Sequence, residues 1–388
     1  MPGGFLPYGR QSIDEDDIAA VVEALRSDFL TTGPRVEAFE AAFAAAVGAQ
    51  HAVACSNGTT ALHMAMMALG LAEGDRCVVP SITFVATANA VRFQGAEVTF
   101  CDVDPKTGLM TPETLERALT ACGGKACAVL PVHLAGRMPD LAGLNALAAK
   151  AGACLVEDAC HALGSMGPSG RAGDCAHSEM ACFSFHPVKT IATGEGGMVT
   201  TNEPYLAEAL RLARNHGITR DPDRFAHTER AGEPWYYEQE VLGWNYRLPD
   251  VLCALGLSQL GKLEAFVERR LALARRYDAL LQPLSPLVRT LPTEGRPGLH
   301  LYVVLIDFAA AGVERAKLME SLRTQGVGSQ VHYIPVHRQP YYVERYGSID
   351  LPGADAWYDR CLSLPLFPAM ADDDPDRVVE ALSKALGR

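Results

Sequence analysis

The stretch from Cys182 to Thr201 reads C-F-S-F-H-P-V-K-T-I-A-T-G-E-G-G-M-V-T-T, two short apolar runs joined by a turn that carries one lysine. The first run, Met180 to Phe185, has the length of a strand, and Pro187 follows where a ladder N–H is no longer needed. The second, Gly197 to Thr201, returns after a glycine-rich turn. An ammonium taken out of water between two buried strands is costly unless it is paired or its pKa falls. A lysine with a lowered pKa is a Schiff-base nucleophile. Lys189 is therefore the candidate for chemistry.

Upstream, the same kind of apolar run recurs at Ala52–Cys55, Cys77–Pro80, Glu97–Cys101, Ala126–Pro131 and Cys154–Glu157. Helical patterns lie between most of them, at Thr59–Leu69, Thr83–Phe93, Pro112–Leu119 and Leu141–Ala151. Near-continuous apolar strands alternating with helices predict an α/β domain with a mainly parallel seven-stranded sheet between helices. Ligands of such sheets bind beyond the carboxyl ends of the strands. After the first run comes Ser56-Asn57-Gly58-Thr59-Thr60, where a glycine, hydroxyls and a helix N-terminus make a phosphate cup. The same residues make a plain Asn/Thr cap, and the loop alone does not choose. It is neither G-x-G-x-x-G nor a Walker loop. The fourth run ends at His133, read as packed or hydrogen-bonded rather than reactive, and the fifth at Glu157-Asp158-Ala159-Cys160-His161. A buried carboxylate requires a cationic partner, and Asp158 suits a protonated ring nitrogen.

At 388 residues the chain has room for two domains with cores of their own. Residues 1–250 are expected to form the large domain with an N-terminal segment, and 251–388 the connector helices and a small C-terminal α+β domain. Hydrophobic residues make up 48% and charged ones 21%, an ordinary globular balance. The net charge of −12 disfavours nucleic acid, which needs a basic face, yet allows a small anion held by local donors. No apolar run approaches the roughly 18 residues of a membrane span, and Met-Pro-Gly-Gly-Phe lacks a leader pattern, so the cytoplasm is the expected compartment. The eleven cysteines contain no C-x-x-C and fall mostly in apolar runs, which reads as reduced structural thiols rather than a metal site.

At the start, Ser12 is expected to cap a helix through a box with Glu15. Ser27 to Pro34 is a loop expected to pack on its own domain. Residues 217–233 are polar and read as an exposed excursion, and the aromatic patches at Trp235–Tyr237 and Gly243–Arg247 as core or subunit contact. A long helical stretch breaks near Gly261. Beyond it, strands are expected at Leu299–Ile306 and Gly328–His332, with helices at Arg315–Gln325, Ala354–Cys361 and Asp374–Leu386. Gln330 to His337 carries two histidines at a strand end, with a proline that denies it a metalloprotease helix.

A phosphate cup, a strand-end aspartate and a later strand-end lysine are what a pyridoxal 5′-phosphate enzyme needs. S-N-G-T-T-A-L-H, P-S-I-T-F-V-A-T-A-N-A, V-E-D-A-C-H-A-L-G, F-S-F-H-P-V-K-T-I-A-T-G-E-G-G-M-V-T-T-N, G-W-N-Y-R-L-P-D and Q-V-H-Y-I-P-V-H together resemble the aspartate-aminotransferase-like (fold type I, DegT-type) nucleotide-sugar aminotransferases over nearly the whole chain. Within that family, P-Y-G-R-Q-S-I, H-P-V-K-T and Q-V-H-Y-I-P-V-H are most similar to the C4 transaminases of pseudaminic acid synthesis.

The resemblance implies that Lys189 carries the cofactor, Asp158 meets its ring nitrogen and His161 contacts its ring. It implies that Thr59, Thr60 and Ser184 bind phosphate, joined by Asn245 from the partner subunit of a homodimer, and that Phe84 stacks on the ring. Tyr8, the loop Asp28-Phe29-Leu30-Thr31, Gly58, Gln330, Val331, His332, Tyr333 and Tyr342 match positions that contact sugar nucleotide or substrate. The return Gly194–Gly197 then reads as room for a cofactor beside the backbone. Related sugar dehydratases carry histidine where Lys189 stands, so the resemblance favours transamination, with L-glutamate as donor and a UDP-linked 4-ketosugar as acceptor. Competing readings are an aminotransferase for a 4-amino-4-deoxy-arabinose or perosamine precursor, a Rossmann oxidoreductase, and a non-catalytic relative.

Overall fold

The computed structural model describes residues 4–388; Met1-Pro2-Gly3, the start of the segment read as lacking a leader, lie outside them. All seven apolar runs are strands of one sheet: β1 (His51–Cys55), β2 (Arg76–Pro80), β3 (Glu97–Cys101), β4 (Ala128–Val129), β5 (Cys154–Asp158), β6 (Met180–Ser184) and β7 (Gly197–Thr201). Their order is β1-β7-β6-β5-β4-β2-β3. Only β7 runs against the rest, pairing antiparallel with β1 and with β6. Their side chains are almost all buried, as expected for a sheet covered on both faces. The helices α1 (Glu15–Arg26), α2 (Pro34–Val47), α3 (Gly58–Ala68), α4 (Val85–Phe93), α5 (Pro112–Ala121), α6 (Leu141–Lys150) and α7 (Pro204–Arg214) surround it. Register brings Cys55, Gly197 and Ser184 into one row at the sheet's end. Asp158 pairs with Cys182 one strand further on. The candidate residues of β1, β5 and β6 thus share one edge.

Helices α8 (Asp250–Leu260) and α9 (Leu263–Leu281) connect to a three-stranded antiparallel sheet of β8 (Val288–Thr290), β9 (Tyr302–Ile306) and β10 (Cys361–Leu364), packed on α10 (Arg315–Thr324) and α11 (Asp374–Ala385). Several expectations change here. The segment Gly328–His332 is not a strand; it contributes only a bridge from Gln330 to Ser363. The third strand is Cys361–Leu364, because the preceding helix stops at Tyr358. Helix α1 is capped by Asp14 in a box with Asp17, the same pattern shifted two residues from Ser12. The N-terminal segment leaves the large sheet: Leu6 bridges Val327 and is buried in the core of the small sheet.

Residues 27–31 do not pack down, since Phe29 and Leu30 are each 51% exposed. Trp235, Tyr237 and Trp244 are exposed too and are not core, whereas Tyr246 of the second patch packs against the main core. His133 is buried, its Nε2 3.0 Å from Glu157 Oε2 but poorly aligned for a hydrogen bond. All eleven cysteines are free. Among the described residues no helix is long and apolar enough to cross a membrane, and no cluster of metal-ligating side chains occurs.

Candidate active site

A cavity of about 960 Å³ opens at the carboxyl ends of the strands, bounded on its far side by the segment 330–334. Lys189 reaches it from the turn after β6, where its N–H donates to the His186 carbonyl at 2.8 Å. Removal from water lowers the Lys189 ammonium pKa below its ordinary value, against Cys160 and Asp158, which raise it. The pleat sends Glu157 and Asp158 to opposite faces. Glu157 turns away to His133 and Ser178, while Asp158 lines the cavity. Asp158 Oδ2 accepts from Thr87 Oγ1 at 2.7 Å and Oδ1 from the Cys160 N–H at 3.2 Å. Thr87 is itself 2.7 Å from Thr83 Oγ1, so the carboxylate's orientation is fixed from α4.

The cup is a real helix start. Asn57 caps α3, accepting from Thr60 N–H at 2.9 Å, and Thr60 Oγ1 returns to Asn57 N at 3.1 Å. The hydroxyl and N–H of Thr60 take part in the cap, and Thr60 also lines the cavity. Gly58 and Thr59 contribute the leading N–H groups that have no partner within a helix. A β-carbon on Gly58 would lie 2.8 Å from Ser184 Cβ, so glycine is what lets the cup sit against the end of β6. The return glycines differ among themselves. A β-carbon on Gly197 would lie 2.4 Å from the Asn57 carbonyl, and Gly194 adopts φ +87° in the turn. Backbone fills the space beside Gly197 and the Thr193 and Phe185 side chains that beside Gly196, while the space beside Gly194 is open.

His161 is buried with Nδ1 accepting from Ala135 N–H at 3.3 Å. Its neutral ring then donates from Nε2 to Tyr333 Oη, 3.0 Å away. Burial and the Lys189 charge hold its pKa well below the usual imidazole range. Phe84 is 57% exposed although it lines the cavity, its ring 6.1 Å from that of Tyr333. Tyr8, Gln330, Val331 and His332 also line it, with Tyr8 and His332 ring centroids 5.5 Å apart and His332 Nδ1 2.7 Å from Ser363 Oγ.

The remaining expected residues fall elsewhere. Tyr342 is buried away from the cavity, packed on Phe100 and Tyr346 with its hydroxyl on Asn89, so it is a core residue and not a substrate contact. Asp28, Phe29, Leu30 and Thr31 are exposed and outside this chain's cavity. Asn245 is also outside it; extended backbone alternates sides, and its neighbour Tyr246 points inward, holding His63 Nδ1 at 3.1 Å. Sequence reasoning missed Tyr246, Thr87 and His300 as parts of the site. Two of these stand inside motifs already quoted, G-W-N-Y-R and T-F-V-A-T-A-N; His300, in G-L-H-L-Y, carried no signal.

This donor set fits pyridoxal 5′-phosphate: helix N–H groups and a serine hydroxyl for a phosphate, an oriented carboxylate for a ring N–H, and a desolvated lysine between them. The fold and site define a pyridoxal-phosphate-type aminotransferase architecture. The profile of the DegT/DnrJ/EryC1/StrS aminotransferase family matches residues 11–383, and the chain belongs to that family. Among similar solved structures is Helicobacter pylori PseC, an aminotransferase involved in the biosynthesis of pseudoaminic acid, with 27% identity, TM-score 0.90 and 99% of each chain covered. The aminotransferase TlmJ from Streptoalloteichus hindustanus is 31% identical, TM-score 0.88, again over 99% of both chains. A sugar aminotransferase from Streptococcus pneumoniae, solved in a PLP-form, is 26% identical with TM-score 0.88 and 99% coverage of both.

Proposed function

We propose that this chain, holding pyridoxal 5′-phosphate at Lys189, moves the amino group of L-glutamate to C4 of a UDP-linked 4-keto-6-deoxy-N-acetylhexosamine. That is the reaction of a UDP-4-amino-4,6-dideoxy-N-acetyl-β-L-altrosamine transaminase, in pseudaminic acid synthesis. The observation that carries the reading is the convergence of Lys189, Asp158 and the α3 N-terminus on one cavity. The choice of sugar rests on the P-Y-G-R-Q-S-I, H-P-V-K-T and Q-V-H-Y-I-P-V-H motifs and on the likeness to PseC.

When bound, the cofactor supplies an electron sink for exchange at the carbon bearing nitrogen. The N–H groups of Gly58 and Thr59, with Ser184, hold its phosphate. Asp158, oriented by Thr87, keeps the ring nitrogen protonated, and Phe84 and His161 confine the ring. Lys189, its pKa lowered, removes the proton from Cα of glutamate and returns one at C4 of the sugar. Tyr8, Gln330, Val331, His332 and Tyr333 face the acceptor.

The working unit is read as a cytoplasmic homodimer with shared sites. Leu242 is 77% exposed, beside exposed Val241 and Trp244, and the Asp28–Thr31 loop shows two exposed hydrophobes. Such patches mark contact surfaces, and Asn245 within one of them is read as reaching the neighbour's phosphate. The test is conversion of the UDP-4-keto-6-deoxy sugar of the altro series with glutamate, read by NMR at C4. An amine at C4 is expected. Turnover confined to arabinose- or perosamine-type ketosugars would overturn the substrate assignment.

A further inference from the structure

Arg270 lies on α9, and nothing above gives it work. Its side chain is 1% exposed and no carboxylate pairs with it among the described residues. Burial lowers its pKa to about 10, which leaves it charged at neutral pH. A buried cation without a countercharge is expensive, so its contacts are informative. Nη2 donates to the Lys189 carbonyl at 3.3 Å and Nη1 to the Thr190 carbonyl at 3.5 Å. Nε has no partner.

The neighbouring helix makes a parallel contact. Buried Gln259 of α8 accepts the Ala192 N–H at 3.3 Å, while its amide nitrogen donates to the Ser12 carbonyl at 2.9 Å and to Asp17 Oδ2 at 2.7 Å. Within itself the lysine turn is held by Lys189 N–H to the His186 carbonyl and Thr193 N–H to the Phe185 carbonyl. The peptide units between those two bonds are gripped from outside, by two side chains of the connector.

We propose that Arg270 and Gln259 are positioning residues: they clamp the turn 189–192 from the connector helices and so aim Lys189 into the cavity. The inference rests on the functional reading above for its kinetic arm but not for its structural one. In the cofactor-free full chain, brief acetylation followed by mass spectrometry gives the labelling of Lys189 relative to the exposed Lys317. Arg270→Met should raise that ratio about threefold or more, because the freed turn opens to solvent. In the holoenzyme the same change should lower kcat about ten- to a hundredfold with KM for glutamate nearly unmoved, as misplacement of a reacting group does. Arg270→Lys, which keeps the charge and one donor, should fall between. A wild-type labelling ratio in Arg270→Met overturns the proposal. Should that variant fail to fold, wild-type labelling and kcat in Arg270→Lys overturn it. A wild-type enzyme that turns over no glutamate defeats the functional reading instead, and the labelling ratio alone then decides the clamp.

Discussion

Asp158 owes its place to one residue of offset: Glu157 beside it is spent on His133 and Ser178 across the sheet, while Asp158 faces the cavity with Thr87 on one oxygen. Asp158→Asn keeps the shape and removes the charge. It should leave cofactor bound and cut turnover about a hundredfold or more, the scale of losing a charge-stabilising group; near-normal turnover in a glutamate assay would take Asp158 out of this role. His332 gives a pH prediction. Burial, with the Lys189 charge, pushes its imidazolium down to about 3 from 6.5. Between those values the unfolded chain binds a proton that the folded chain refuses, so stability is full above 6.5 and falls as pH drops towards 3. His332→Gln should flatten part of that acid limb in urea titrations, and an unchanged slope would count against it. At this scale the sequence displayed Lys189, Asp158 and His161 through their motifs. It misplaced Tyr342, because a tyrosine near a site motif looks the same whether its ring meets a ligand or, as here, Phe100.

Helix α3 shows what an element adds. Asn57, Gly58 and Thr60 together read as a cap or a cup; Asn57 and Thr60 form the cap, and Gly58 and Thr59 line the cavity where the proposed cup would hold a phosphate. Gly58→Ala would force the helix start away from Ser184, a displacement set by the 2.8 Å contact. Overpacking of this kind costs about 1–3 kcal/mol. Cofactor affinity should drop about tenfold or more, measured by equilibrium titration, and an unchanged affinity would separate the cup from the phosphate. The seven strands were legible because each is a short buried run between helical patterns. Cys361–Leu364 was not, since C-L-S-L after a helical pattern continues it as readily as it starts a strand. Gly194–Gly197 was legible as a turn, but the packing of Gly197 was not, because the backbone beside it comes from Asn57, distant in sequence.

For the whole molecule, the sheet's carboxyl edge and the segment 330–334 close one cavity, and the N-terminal segment is tied to the small sheet through Leu6. Such long-range ties leave no local trace, so the bridge from Leu6 to Val327 was not legible in the sequence. Leu242, Trp244 and Phe29 are exposed, as the proposed homodimer requires of contact residues. If Asn245 serves its neighbour's site, mixing Lys189→Ala with Asn245→Ala should restore activity through hybrid dimers, to about a quarter of wild type for random pairing of two-site dimers. No recovery on mixing would mean that each site is complete within one chain. The central claim, that Lys189 is the residue joined to the cofactor, is tested most directly by borohydride reduction of the purified enzyme followed by peptide mass spectrometry. One pyridoxyl phosphate group fixed on Lys189, and absent from Lys189→Ala, is the expected result. A reduced adduct on another lysine, or one that persists in Lys189→Ala, would contradict it.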